Sequence, residues 1–214
     1  MGRLTTQVPV KTTFGHIFEP KRTAEKDGTV REKYQITLLF DTSDPQQEEE
    51  LKRLKADAFQ VGVEAFGEHF ETMVQQKSIR WPFRDGGEIN PNTGQPRFGQ
   101  GIVFVNCSSH TQPDVVSRYF DPQDPQKKPR KVTDASEYWW GQYAKVNVTL
   151  KEYKRPDGKG IACYVNGLQL WHEGEKLGNT FDAQSEFNAE GEAPPAEYNP
   201  GAEQPAGGGG SSLL

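Results

Sequence analysis

Only two cysteines, Cys107 and Cys163, occur in 214 residues. That is too few for a disulfide framework, and no CxxC pair offers a structural zinc site. On neighbouring strands the two could meet; otherwise they are two buried thiols. The four histidines, His16, His69, His110 and His172, stand far apart with no HxxxH or HExxH spacing, so nothing points to a metal. GxSxG, P-loop and dinucleotide fingerprints are absent as well, and no cofactor is implied. Asp85 and Glu88 could join Asp114 in a carboxylate cluster for metal-dependent nuclease work. In so turn-rich a segment they read better as turn formers and solvated charges, and the expectation is no enzyme. No apolar run approaches the ~18 residues that span a bilayer, and "MGRLTTQVPVKTTF" lacks the apolar stretch of a signal peptide. A soluble, cytoplasmic protein is expected.

Apolar residues are also scarce, at 33% of the chain, which is low for a globular protein. Part of the deficit lies at the C-terminal end. From Phe181 onward there are six acidic residues and no basic ones. The remaining 24 acidic residues face all 25 basic ones, so the formal net charge of -5 belongs to the tail and the body stands at +1. "APPAEYNPGAEQPAGGGGSSLL" cannot bury a core, and residues 181–214 are expected to be a disordered acidic tail beyond a folded domain over residues 1–180. Such a tail could compete for an anion-binding groove, recruit partners, or merely solubilise.

Within the body, short strands separated by turns predict an all-β core with one long helix, closed as a small antiparallel barrel. "TQVPVKTTFGHIFEP" is a first strand, in which Phe14, His16 and Phe18 alternate with Gly15 and Ile17. "KRTAEKDGTVREK" reads as a polar loop with an Asp27-Gly28 turn. "YQITLLF" is a second strand with Tyr34, Ile36, Leu38 and Phe40 on one face. Ser43 or Asp44 can cap a helix that has Pro45 in its first turn. Leu51, Leu54, Ala58, Val61 and Ala65 recur at helical spacing through Gln46–Gln76, with Gly62 and Gly67 predicting a kink or a break. Residues 78–101 carry too many glycines and prolines for regular structure. "IVFVNCSS" and "QPDVVSRYFDP" resume as strands, and "QDPQKKPRKVTDASE" is a basic loop. The clearest hairpin is "YAKVNVTLKEY" with "GIACYVNGLQLW", joined around Pro156-Asp157-Gly158.

That hairpin carries the functional argument. Along residues 143–153, Ala144, Val146, Val148 and Leu150 point one way, and Tyr143, Lys145, Asn147, Thr149, Lys151 and Tyr153 the other. A core needs rings without lysines; a solvated face needs lysines without rings. A surface for a polyanion with stackable parts needs both, and single-stranded nucleic acid is that ligand, because its bases are free to stack. "IRWPFR", "QPRFGQG" and "KKPRK" directly before Tyr138, Trp139 and Trp140 repeat the pairing of ring and cation. The residues chosen for stacking are Trp81, Trp139, Tyr143 and Tyr153. Those chosen for phosphate are Arg84, Lys128, Arg130, Lys145, Lys151 and Arg155. The rival reading is a structural or carbohydrate-binding β-domain of a virion, whose rings would stack on sugars without needing the lysines.

Several stretches together resemble a known family: "FGHIFEP", "YQITLLF" followed by the long helix, "FRDGGE", and above all "YWWGQYAKVNVTLKEYKRPDGKGIACYVNGLQLWHEGEKLG" ahead of an acidic tail. The chain is similar there to the phage-encoded single-stranded DNA-binding proteins with an OB-fold, over most of residues 1–180. The resemblance implies a five-stranded Greek-key barrel with a helix. It further implies sequence-tolerant coating of single strands in phage DNA replication and recombination, in the cytoplasm of a bacterial host. By the same resemblance, single-stranded DNA is the partner, and replication or recombination proteins are candidates for the tail. This tail is sparser in acid than the family's and ends in two leucines. Footprint and oligomeric state are left open.

Overall fold

Alternation along one strand leaves an apolar face that only a second wall can cover, and here the wall is the same sheet curling back. The computed structural model describes residues 3–24, 28–156, 158–171 and 173–177. Its elements are β1 (Arg3–Thr5), β2 (Val10–Ala24), β3 (Val30–Asp41), α1 (Pro45–Phe66), α2 (Phe70–Gln75), β4 (Phe83–Asp85), β5 (Ile102–Ser109), β6 (Asp114–Phe120), β7 (Pro129–Lys131), a 3-10 turn at Ala135–Glu137, β8 (Tyr143–Arg155) and β9 (Gly158–Leu170). β2 pairs antiparallel with β3, and β3 with β5. β5 runs parallel to β9 at Cys107↔Cys163. β9 pairs antiparallel with β8, and β8 returns to β2 through Val10↔Ala144 and Lys11↔Tyr143. The order β2-β3-β5-β9-β8 therefore closes on itself, which removes the free edges of those strands. β1 adds to β8, β4 to β5, and the β6–β7 ribbon to β9.

The interior is filled by the inward side of each strand. Ala144, Val146, Val148 and Leu150 are buried, as the alternation of β8 requires, and meet Ile17, Ile36, Leu38 and Phe40. Each valine, leucine, isoleucine or phenylalanine among them contributes about 1.5–3 kcal/mol by leaving water. α1 packs on β8, β3 and β9 through Leu51, Leu54 and Ala58. Its start is fixed by Asp44, whose side chain accepts from the Gln46 amide at 2.9 Å, with Pro45 next in line. It ends at Gly67, φ 83, so the predicted break falls there. Gly62 is no kink: a Cβ on it would overlap the ring of the fully buried Phe70. It is a notch that lets α2 fold back on α1.

Several expectations need correction. The charged stretch 21–33 is largely strand, not loop. β2 runs to Ala24 and β3 begins at Val30, with Lys21↔Lys33, Arg22↔Glu32 and Thr23↔Arg31 in register. A two-stranded ribbon satisfies its backbone by the ladder alone, and the Arg22–Glu32 bridge at 2.8 Å adds a cross-strand tie. The basic loop likewise contains β7, and the Gly/Pro-rich segment contains β4. β3 is buried on both faces from Ile36 to Phe40, because Thr37 and Leu39 are covered from outside as well. The two cysteines are free, buried and in contact, Cys107 Sγ donating to Cys163 Sγ at 3.1 Å. That hydrogen bond, with burial, pushes the Cys107 thiol up. Asp157 of the hairpin turn and the acidic tail lie outside the described residues. No helix among the described residues is long and apolar enough to cross a membrane.

Candidate nucleic-acid interface

A bulge in β2 begins the site. Thr13 faces Thr37 and His16 faces Gln35, so Phe14 and Gly15 together oppose one residue of β3. Phe14 takes φ 47 and leaves its ring 47% exposed. A left-handed non-glycine residue costs about 1–3 kcal/mol and persists only where its surroundings enforce it. Enforcement comes from the segment before β8. Tyr138 lies over Gly15, where a Cβ would overlap its ring, and shares a hydrogen bond with Thr12 Oγ1 at 3.2 Å. Burial pushes the Tyr138 phenol up to about 12. Trp140 Nε1 donates to the Gly15 carbonyl at 3.3 Å.

From that clasp a row of rings crosses the outside of β2, β3 and β5. Trp140 meets Phe14 edge-on at 5.2 Å, Phe14 lies 6.0 Å from Phe98, and Phe98 lies 5.0 Å from Phe104. The Arg84 guanidinium sits 5.1 Å from the Phe104 centroid and bridges to Glu88 at 2.5 Å. Phe98 is delivered by the 86–101 loop, which folds back so that the Phe98 amide donates to the Gly86 carbonyl at 2.9 Å. Gly86 has to be small, since a Cβ there would stand 2.7 Å from the Ile102 carbonyl.

The rings open onto cations. Three adjoining depressions of about 490, 140 and 580 Å³ share lining residues and form one groove. The first holds the rings with His16, Lys21, Arg84 and Arg97 over a polar floor of Gln35, Thr37, Asn106 and Ser108. Lys21 and Gln35 continue into the second, beside Arg31 and Lys33. Arg31 and Lys33 reach the third, which adds Glu32, His110, Arg155 and Pro156. Lys21 and Lys33 are register partners, and like charges opposite one another destabilise a strand pair. Neither lysine, nor Arg97, is bridged to a carboxylate among the described residues. Arg97 Nε is buried without a hydrogen-bond partner. An elongated anion laid along the groove would satisfy all three.

A family profile described as Enterobacter phage Enc34, ssDNA-binding protein, matches residues 3–197. The chain belongs to that family. Among solved structures it is similar to the single-stranded DNA-binding protein from bacteriophage Enc34 in complex with ssDNA, with 17% identity, a TM-score of 0.61, and coverage of 83% of this chain and 90% of that one. It is also similar to gp2.5, a single-stranded DNA-binding protein encoded by bacteriophage T7, with 16% identity, a TM-score of 0.51, and coverage of 90% and 98%. At such identities the likeness is one of fold. No curated protein sequence matches the chain significantly.

Of the residues singled out in the sequence, this family member brings Arg84 and Arg155 into the groove. Tyr153 is tied to its far end by Arg155, 5.5 Å above the ring. Trp139, Tyr143 and Lys145 face a different side, beside Trp171 and Gly174. Lys151 is exposed farther along the same strand, and Lys128 is exposed in the β6–β7 connection. Arg130 is bidentate on Glu137 at 3.1 and 2.5 Å, which raises it further. Trp81 is wedged between Phe70 at 5.8 Å and Phe83 at 5.3 Å against the core. Phe14, Phe98, Phe104 and Trp140 among the rings, and Lys21, Arg31, Lys33 and Arg97 among the cations, were not chosen. "QPRFGQG" and the Trp139-Trp140 pair carried part of the signal, and Phe14-Gly15, a ring beside a glycine in an otherwise regular strand, carried the rest. The three carboxylates of the nuclease reading have separate duties. Asp85 accepts from the Gly87 amide, Glu88 holds Arg84, and Asp114 faces Lys131 at 3.7 Å.

Proposed function

We propose that this protein binds single-stranded DNA without sequence preference along the β2–β3–β5 groove, and that its barrel is an OB-fold. Two topological facts support the fold reading. Taking β2, β3, β5, β8 and β9 as strands one to five, the closed order is 1-2-3-5-4, and the third and fifth run parallel. The groove crosses strands one to three and ends beside the turn between strands four and five, where such barrels bind oligonucleotides. The observation that carries the function is the row Trp140–Phe14–Phe98–Phe104 opening onto the opposed Lys21 and Lys33. Rings supply stacking of about 1–3 kcal/mol per base, indifferent to base identity, and cations supply phosphate contacts. A duplex would offer phosphate alone, and a sugar ligand would leave the opposed lysines unrelieved.

The role that follows is coating and protecting single strands in phage DNA replication and recombination inside the infected cell, by binding and not by catalysis. Its domain is residues 1–180, and residues 181–214 act as an acidic tail that meets replication or recombination proteins. Titration with oligo-dT, with duplex and with a neutral oligosaccharide tests the binding. Oligo-dT should bind tightest, with a log–log salt slope of about -0.7 per phosphate neutralised. Equal binding of the sugar, or a flat salt response, would sink the reading.

A further inference from the structure

We propose that a single strand longer than the groove leaves it past Trp140 and continues onto the outer face of β8 and β9, where a second row of rings and cations holds it. The proposal rests on the groove being the primary DNA site. Trp139 and Trp140 are consecutive, yet they serve different surfaces. Trp140 meets Phe14 in the groove. Trp139 Nε1 donates to the Gly174 carbonyl at 3.1 Å, with Lys176 Nζ 6.0 Å from its ring. The corner between them is locked. Leu177 N donates to the Trp140 carbonyl at 2.6 Å and Tyr143 N to the Glu173 carbonyl at 2.8 Å. Gly141 and Gly174 lie so close that a Cβ on Gly174 would overlap the Gly141 carbonyl.

Beyond the corner the pairing of ring and cation continues. Lys11 Nζ stands 5.7 Å from the Tyr143 ring and Lys145 Nζ 4.9 Å from Trp171. Arg118 lies between Trp171 at 5.8 Å and the 56%-exposed Tyr119 at 5.0 Å. Lys145 then borders a depression of about 310 Å³ with Asn147 and Gln169, whose one carboxylate, Asp114, faces Lys131 at 3.7 Å. Arg118 is bridged to Glu173 at 2.7 Å and Lys11 is close enough to Asp41 to help hold that carboxyl down, but Lys145 is bridged to no carboxylate among the described residues. Each of these cations stands over a ring, 4.9–5.8 Å from its centroid, so one nucleotide can meet a ring and a positive charge together. Charge complementarity and continuity with the groove at Trp139–Trp140 both point to the same polyanion.

Oligo-dT length separates the two surfaces. A barrel of this kind occupies about 4–16 nucleotides, so an oligomer of about 5 fills the groove and one of about 16 rounds the corner. The gain in affinity on lengthening, corrected for the number of registers, should fall about 5- to 100-fold in Trp171→Ala, one lost stacking ring. It should fall in Lys145→Glu too, a solvent-facing change that leaves the core intact. Phe14→Ala should weaken both lengths alike and keep the gain. If Trp171→Ala and Lys145→Glu both gain as much as the unmodified protein, the extended path is wrong. If Phe14→Ala leaves the short oligomer's affinity untouched, the groove assignment fails instead.

Discussion

Two surfaces of this barrel pair rings with positive charge, and they differ in how the charge is held. On the β8–β9 side each cation already has a local companion: Lys145 sits over Trp171, Lys11 over Tyr143, and Arg118 bridges Glu173. In the β2–β3–β5 groove the rings touch one another and two of the cations are left in opposition, Lys21 facing Lys33. The groove also stores backbone strain at Phe14, φ 47. A surface whose cations are already placed over rings gains less from a ligand than one that keeps strain and like charges in opposition. The difference ranks the groove first and the outer face second.

The most direct way to break that ranking is to remove rings from each side. Phe14→Ala with Trp140→Ala should cost about 2–6 kcal/mol in oligo-dT affinity, since two stacking positions are lost. Tyr143→Ala with Trp171→Ala, the outer pair, should cost less on a short oligomer. Fluorescence titration at fixed salt measures both, and an equal or larger loss from the outer pair would reverse the order of the two surfaces.

How these surfaces show in the sequence follows the same divide. The β8 face was legible because one strand carries it: alternation places Tyr143 and Lys145 together without any knowledge of the fold. The barrel and the long helix were legible for the same reason, each being written in a local period. The groove is assembled from separate stretches around Phe14, Lys33, Arg84, Phe98, Phe104, Trp140 and Arg155, and no period connects them. Only the closed order of strands brings Phe98 against Phe14. The charged ribbon 21–33 hid itself for another reason. Its strands are held by backbone pairing and carry lysines where apolar alternation would have announced them. Trp81 shows the converse error of composition, since a tryptophan between two arginines turned out to pack on Phe70 and Phe83.

A second prediction sharpens the contrast through pH. Tyr138 props the Phe14–Gly15 bulge, and its phenol is pushed up from 10.0 to about 12 by burial. Below about pH 10 the ring is protonated in the folded and unfolded chain alike, so its contribution is intact. Between about pH 10 and 12 the unfolded chain ionises while the folded one resists, so stability falls by about 2–3 kcal/mol over that window. In Tyr138→Phe that fraction of the alkaline loss should vanish. Urea unfolding at pH 9, 10, 11 and 12 reads the difference, and parallel curves for the two proteins would refute it.

Stability and binding can also be separated on the far side of the molecule. Gly62→Ala forces a methyl into the ring of Phe70, an overpacking that should cost about 1–3 kcal/mol of stability. The affinity of the remaining folded protein for oligo-dT should not change, because neither Gly62 nor Phe70 borders the groove. A proportionate loss of affinity would mean that the helices belong to the binding surface.

The smallest expected effect is the one that distinguishes charge position from charge number. Lys33 and Arg130 each carry one positive charge, and composition favours Arg130, in "KKPRK", over Lys33, in a stretch that reads as a loop. The structure places Lys33 opposite Lys21 on the groove wall, while Arg130 spends both terminal nitrogens on Glu137. A phosphate arriving at Arg130 would have to displace that carboxylate, with little net change in the counterions released. Lys33→Ala should therefore reduce the log–log salt slope by about 0.7, the value for one phosphate contact on a single strand. Arg130→Ala should leave the slope where it was. Affinity measured at four or five salt concentrations decides it. Equal slopes for the two variants would show that binding counts the charges on the barrel and ignores where they stand.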